Sequence, residues 1–206
     1  VGGHAAYPHR TIDPVVIAAY IVTALQTLVS RNVDPLDTVV VTIGKIQAGS
    51  ASNIIPPSAE MLGTLRTLNA STREQMLAAI TRVVSGVAAS LGGRAALAKY
   101  LTSYPVTRND AALSQFVTET AAAAGYKTEV APPPSLGGED FSYYAERIPG
   151  AFWRLGVRSP GDGPHPEVHQ PTFDFPDEAV EIAIRMHCEL ALRYQQSTPE
   201  WATRIR

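Results

Sequence analysis

The chain has 206 residues, 45% of them hydrophobic and 17% charged, which is the profile of a globular protein with ample material for a core. Its formal net charge is −2, so no basic surplus is available to neutralise phosphates, and nucleic acid is excluded as an expected partner. Cys188 is the single cysteine; this rules out an intrachain disulfide and fits a reducing, cytoplasmic setting.

The first residues read VGGHAAYPH, without an initiator methionine. Residues 13 to 31 (DPVVIAAYIVTALQTLVSR) predict a helix. Asp13 is placed to cap it, Pro14 suits the first turn, and Ile17, Ile21, Ala24, Leu25 and Leu28 recur at helical spacing. The longest apolar runs, such as PVVIAAYIV at 14 to 22, fall short of a bilayer span, so no membrane segment is expected. Residues 37 to 47 and 58 to 68 are β-branched or alternating and predict strands, separated by a turn with Asn53 and by Pro56-Pro57. A second helix is predicted over 71 to 91, with Ser71 and Glu74 as a capping box and Met76, Ile80, Val83, Val87 and Leu91 as the buried stripe. Gly92-Gly93 should end it. Residues 95 to 104 (AALAKYLTSY) predict a further strand.

With a first strand expected just before His4, in sequence the chain does not contain, the order is the split βαβ pattern of a ferredoxin-like sandwich. Residues 1 to 104 are therefore read as one domain and 105 to 206 as another. The second half predicts helices at 110 to 124, near 139 to 146, and at 177 to 195, with short strands at 126 to 130 and 151 to 157. A long loop, 158 to 176, carries His165 and His169. So few strands make this half too thin for an α/β domain of its own, and it reads as the remaining part of a larger one.

Several residues could carry chemistry. His169 in HPEVHQPTFDF is open to two readings: a surface-loop histidine, or a metal ligand or acid–base group near a strand end. His165 lies four residues earlier, but Pro166 prevents an ordinary helix from aligning the pair. Gly137-Gly138-Glu139-Asp140 either lets backbone approach a ligand or simply starts a helix with acidic residues. Asn53 and Arg66 flank the second β-segment; Arg66 either clamps a carboxylate through its planar fork or lies on a solvated strand face. His187 and Cys188 sit in the apolar last helix, where packing is a simpler account than a nucleophile pair, since adjacent helical positions do not face each other.

Taken in order, GGHAAYPH, GSASNIIPPSAEMLGTLRTL, GGEDFSYYAERIPG and HQPTFDFPDEA resemble the C-terminal two-thirds of the metal-dependent amidohydrolases of peptidase family M20. The nearest subgroup resembles hippurate hydrolase, N-acyl-amino-acid amidohydrolase and plant auxin-conjugate hydrolase. The resemblance implies hydrolysis of an amide bond in an N-acyl amino acid or small peptide, with one or two divalent ions, zinc, manganese or cobalt. It also implies a ferredoxin-like α+β lid that mediates a homodimer, followed by the C-terminal part of an α/β catalytic domain. His4 matches the family's lid histidine, expected to polarise the scissile carbonyl and stabilise its oxyanion. Asn53 matches an asparagine that holds substrate, and Arg66 a strand arginine suited to a substrate carboxylate. Gly138 and Glu139, with Asp140, match a motif beside the active site, in a supporting role toward substrate. His169 matches the last metal ligand. The family's other ligands, in a CGHDxH-like segment and beyond, and its general base have no counterpart here. The chain is thus expected to be part of an enzyme, inactive by itself. A non-catalytic dimerisation or small-molecule-binding module is the alternative.

Overall fold

The computed structural model describes residues 1–101, 104–129, 134–158, 163 and 165–196. The fold mixes helices and antiparallel strand pairs, and the chain divides into two compact units, Val1–Val106 and Thr107–Arg206.

In the first unit, strand β1 (Gly3–His4) leads through a 3-10 turn (Pro8–Arg10) into helix α1 (Pro14–Asn32). Asp13 caps α1 as its position predicts: its carboxylate accepts from the Val15 N–H at 2.8 Å and the Val16 N–H at 3.4 Å, satisfying donors that have no partner inside the helix. Ile17, Ala18, Ile21, Leu25 and Leu28 are buried along one face. The apolar run proves longer than the sequence reading allowed. At 19 residues α1 is long and apolar enough, by length and composition, to cross a membrane, but its apolar stripe is the centre of a protein core.

Strand β2 (Val39–Ala48) and strand β4 (Ala59–Thr67) form an antiparallel ribbon against that core, while strand β3 (Ile54–Ile55) lies between them in sequence. Val39 and Val41 face inward against α1 and helix α2 (Ala70–Ser90). The register advances by one between Ile43 and Lys45, so Gly44 is the extra residue of a bulge, which bends and twists the ribbon. Opposite it, a Cβ on Gly63 would sit 2.5 Å from the Thr42 carbonyl oxygen; only glycine allows so close a backbone approach.

Helix α2 starts earlier than predicted. Its cap is Asn69, whose side chain accepts from the Ser71 N–H at 3.1 Å; Ser71 lies within the first turn and donates its own hydroxyl to Asn69. The buried face is also turned slightly: Met76, Val84 and Ala88 are buried, Ile80, Val83 and Val87 are partly buried, and Leu91 is 40% exposed. The end is as expected. Gly92, at φ +75°, donates to Ala89 and Gly93 donates to Ala88, the paired bonds of a Schellman stop.

Three expected strands are not formed over the described residues. Among the described residues, 95–101 and 104, 126–129 and 151–157 belong to no strand; residues 102, 103 and 130 lie outside the description. Among the described residues the first unit holds two separate two-stranded pairs, β1–β3 and β2–β4, and β1 includes His4. Alternation makes a segment fit for pairing, but a strand exists only where a neighbour supplies the ladder bonds.

The second unit is built on helices α3 (Ala111–Ala123), α4 (Ser142–Ala145) and α5 (Glu178–Gln196). Helices α3 and α5 pack together, with the rings of Phe116 and Tyr194 edge to face at 6.4 Å. Asp110 caps α3 through the Leu113 N–H at 3.0 Å. At the expected strand 151–157, a side chain replaces a strand partner: the Asn109 amide donates to the Phe152 carbonyl and accepts from its N–H, both at 2.8 Å. Asp110 N–H also donates to the Gly150 carbonyl at 2.8 Å.

The cap assignment has a direct test. Asn69→Ala should cost about 1 kcal/mol in urea unfolding, the usual loss for a removed N-cap, whereas Ser71→Ala should cost less than about half of that.

Candidate functional site

The elements around His4 are short, and glycine makes them possible. In the β1–β3 pair, Gly3 lies opposite Ile55 and His4 opposite Ile54. The Ala5 N–H continues the ladder to the Asn53 carbonyl at 3.0 Å. A Cβ on Gly2 would stand 2.6 Å from the Ile55 carbonyl oxygen and 3.0 Å from Pro56 C and Pro57 N. One on Gly3 would stand 2.8 Å from the Thr11 methyl. Gly2 thus lets the chain leading to His4 lie directly against Ile55 and Pro56, which are buried, and Gly3 leaves room for Thr11. A bond from the Ile12 N–H to the Val1 carbonyl, 3.0 Å, ties the same strand to the approach of α1.

His4 is exposed. After it the chain turns at once: the Tyr7 N–H donates to the His4 carbonyl at 2.9 Å. Inside this turn the Ala6 N–H donates to His4 Nδ1 at 3.1 Å. A nitrogen that accepts a backbone N–H cannot hold the proton of a neutral ring, so that bond assigns the proton to Nε2. His4 then presents an Nε2–H donor on the side of the ring away from its own turn.

Backbone pairing makes His4 and Asn53 neighbours, and the Asn53 side chain is exposed. Arg66 stands on the other ribbon, opposite Val40. Both are exposed while Val39 and Val41 are buried, so Arg66 lies on the face of the ribbon turned away from the helices. The strand pairings bring His4 and Asn53 together and put Arg66 on a separate ribbon.

In the second unit, Gly138 is exposed and Glu139 half-buried. The Glu139 carboxylate accepts from the Phe141 N–H at 3.3 Å, and its carbonyl accepts both the N–H and the hydroxyl of the fully buried Ser142. These bonds shape the turn into α4, and Asp140 adds its carbonyl as acceptor for the Tyr143 N–H. His169 is exposed, in a turn, at φ +77°, an uncommon backbone state for a residue other than glycine. His165 holds its Nδ1 2.9 Å from the Pro166 carbonyl and packs edge-on to Phe173. The His187 ring lies 5.2 Å from that of Trp153, while Cys188 is exposed.

Among the described residues, no three His, Cys, Asp or Glu side chains converge on a point where a metal ion could sit. A catalytic zinc site uses about three protein ligands and an open position, so the residues present do not fit a complete metal centre.

The profile of peptidase family M20/M25/M40 matches residues 10–193. The chain belongs to this family. Among its relatives is an N-acetylcysteine deacetylase of Bacillus subtilis (strain 168), 39% identical over 93% of this chain and 48% of that protein. Another is the IAA-amino acid hydrolase ILR1-like 4 of Arabidopsis thaliana, 36% identical over 94% of this chain and 45% of that protein. A crystal structure from Bacillus subtilis, described as a dinuclear metal-binding peptidase from the M20 family, superposes with a TM-score of 0.73 at 36% identity, covering 89% of this chain and 46% of the other. The chain spans about half the length of the curated relatives it matches.

The sequence reading of this M20 chain named His4 and Asn53 but passed over Gly2, whose missing side chain permits their pairing. The signal was present in two consecutive glycines before the histidine. Gly2→Ala should part β1 from Ile55 and open the Ala5 to Asn53 bond. Amide hydrogen exchange at Ala5 should accelerate by about tenfold or more, the factor for roughly 1.4 kcal/mol of local strain.

Proposed function

We propose that this chain contributes the carbonyl-polarising imidazole of a metal-dependent amidohydrolase that cleaves N-acyl amino acids or small peptides. The observation that carries the reading is the bond from the Ala6 N–H to His4 Nδ1. It leaves Nε2–H as a donor, and an N–H aimed at a carbonyl oxygen stabilises the negative charge that develops as the tetrahedral centre forms. Asn53, beside His4 on the paired strand, supplies amide donors and an acceptor to hold the substrate. Arg66, on an exposed ribbon face, offers a planar fork for a substrate carboxylate. In this reading Gly138 and Glu139 keep the supporting role toward substrate that the family resemblance implies. The names of the relatives, an N-acetylcysteine deacetylase and an IAA-amino acid hydrolase, support the substrate class.

In this reading, residues 1 to 104 form a ferredoxin-like lid and dimerisation domain, and 105 to 206 the C-terminal segment of a catalytic domain in a cytoplasmic homodimer. Packing of both long helices against the β2–β4 ribbon supports the lid assignment. The cofactor is one or two divalent ions, zinc, manganese or cobalt, with His169 as one donor. The described residues hold no group of three or more such donors; in this reading the other ligands and the general base come from outside these residues, and the 206-residue chain alone is inactive. A non-catalytic binding module is the second reading, favoured by the same lack of converging donors among the described residues. Calorimetric binding of an N-acyl amino acid to this chain alone would support it.

In the complete hydrolase, His4→Ala should lower kcat by about 100-fold or more, the loss seen when an oxyanion donor is removed. Steady-state release of free amino acid from an N-acetyl amino acid measures it, and an unchanged rate rejects the assignment of His4.

A further inference from the structure

We propose that Tyr7 is the positioning residue for His4, its ring setting the tilt of the imidazole so that Nε2–H points in one direction. The inference rests on the reading of His4 as the polarising donor.

His4 needs such a support. It sits at the end of a two-residue strand and is exposed. Among the described residues, the Ala6 N–H anchors its ring at one nitrogen. One hydrogen bond fixes a point on the ring and leaves the ring plane free to rock about it. The Tyr7 ring stands 5.7 Å from the His4 ring at an interplanar angle of 55°, inside the range where aromatic pairs attract. It closes off one direction of that rocking.

Tyr7 is itself held from several sides. Its N–H donates to the His4 carbonyl and its carbonyl accepts the Arg10 N–H at 3.1 Å. Pro8 follows it and restricts its backbone. The Arg10 guanidinium carbon lies 5.2 Å from the centre of its ring, a cation over the negative face. The His9 ring meets it edge-on at 6.3 Å and 83°. Yet Tyr7 is 51% exposed, so core packing does not explain these contacts. The stack runs from Arg10 through Tyr7 to His4, and its free end is the imidazole.

Two readouts test this. In the chain labelled with nitrogen-15, the His4 Nδ1 and Nε2 shifts report which nitrogen carries the proton, and so whether the bond from the Ala6 N–H keeps the ring in one tautomer. Tyr7→Leu should move both toward the averaged values of an imidazole exchanging between its two tautomers, and Tyr7→Phe, which keeps the ring, should not. In the complete hydrolase, Tyr7→Leu should lower kcat by about three- to tenfold, with KM changed by less than about twofold, while Tyr7→Phe stays near the parent rate. Arg10→Met, which removes the cation over the ring, should act in the same direction as Tyr7→Leu and more weakly. The proposal is overturned if Tyr7→Leu leaves the His4 shifts unchanged, if Tyr7→Phe loses as much as Tyr7→Leu, or if the ring loosens while kcat holds in an enzyme that His4→Ala inactivates. If His4→Ala leaves turnover intact while Tyr7→Leu still frees the ring, the donor role of His4 fails and the positioning stands.

Discussion

The contact between the Gly2–Gly3 backbone and Ile55–Pro57 is the constraint on which the candidate site depends. A Cβ on Gly2 would stand 2.6 Å from the Ile55 carbonyl oxygen, so only a residue without a side chain allows this approach. The register that follows, His4 opposite Ile54 with Ala5 bonded to Asn53, places two polar residues side by side that are far apart in sequence. The turn that follows then folds the Ala6 N–H onto the imidazole. Each step is local and inexpensive, but each requires the one before it.

The remainder of the first unit keeps that small assembly in place. Helices α1 and α2 bury Ile21, Leu25, Leu28, Met76 and Ala88 against the inner face of the β2–β4 ribbon. Burying large apolar side chains contributes roughly 1.5–3 kcal/mol each, far more than any contact at the exposed His4 turn. The stabilising residues and the reactive candidates therefore occupy different places: the former under the helices, the latter on a loop pair and on the outer ribbon face. Such a separation lets chemistry-bearing residues vary without dismantling the core.

In the second unit, irregular backbone is satisfied by side chains. Asn109 serves Phe152 at both its N–H and its carbonyl, doing what a neighbouring strand would otherwise do. Ser142, fully buried, donates its hydroxyl to the Glu139 carbonyl and so stabilises the turn that carries the Gly-Gly-Glu-Asp motif. His169 stands in a turn of its own with a positive φ. These arrangements hold individual residues in defined positions, and among the described residues they gather no group of three metal donors.

Helices were the most legible feature. Asp13, the periodic Ile17 to Leu28 stripe and the Gly92-Gly93 stop are short-range signals acting within a few residues, and α1 and α2 follow them closely. Even there the choice between Asn69 and Ser71 as cap turned on geometry two residues apart. The order of motifs was likewise sufficient to suggest the family that the match over residues 10–193 establishes. Strand pairing was not legible in the same way. Residues 95–101 and 151–157 carry strand-like patterns and belong to no strand, because alternation describes a surface and not the partner that must meet it. For the same reason the donor nitrogen of His4 could not be read from the letters: it depends on where the Ala6 N–H lands once the chain has turned, and only folding in three dimensions brings the two together.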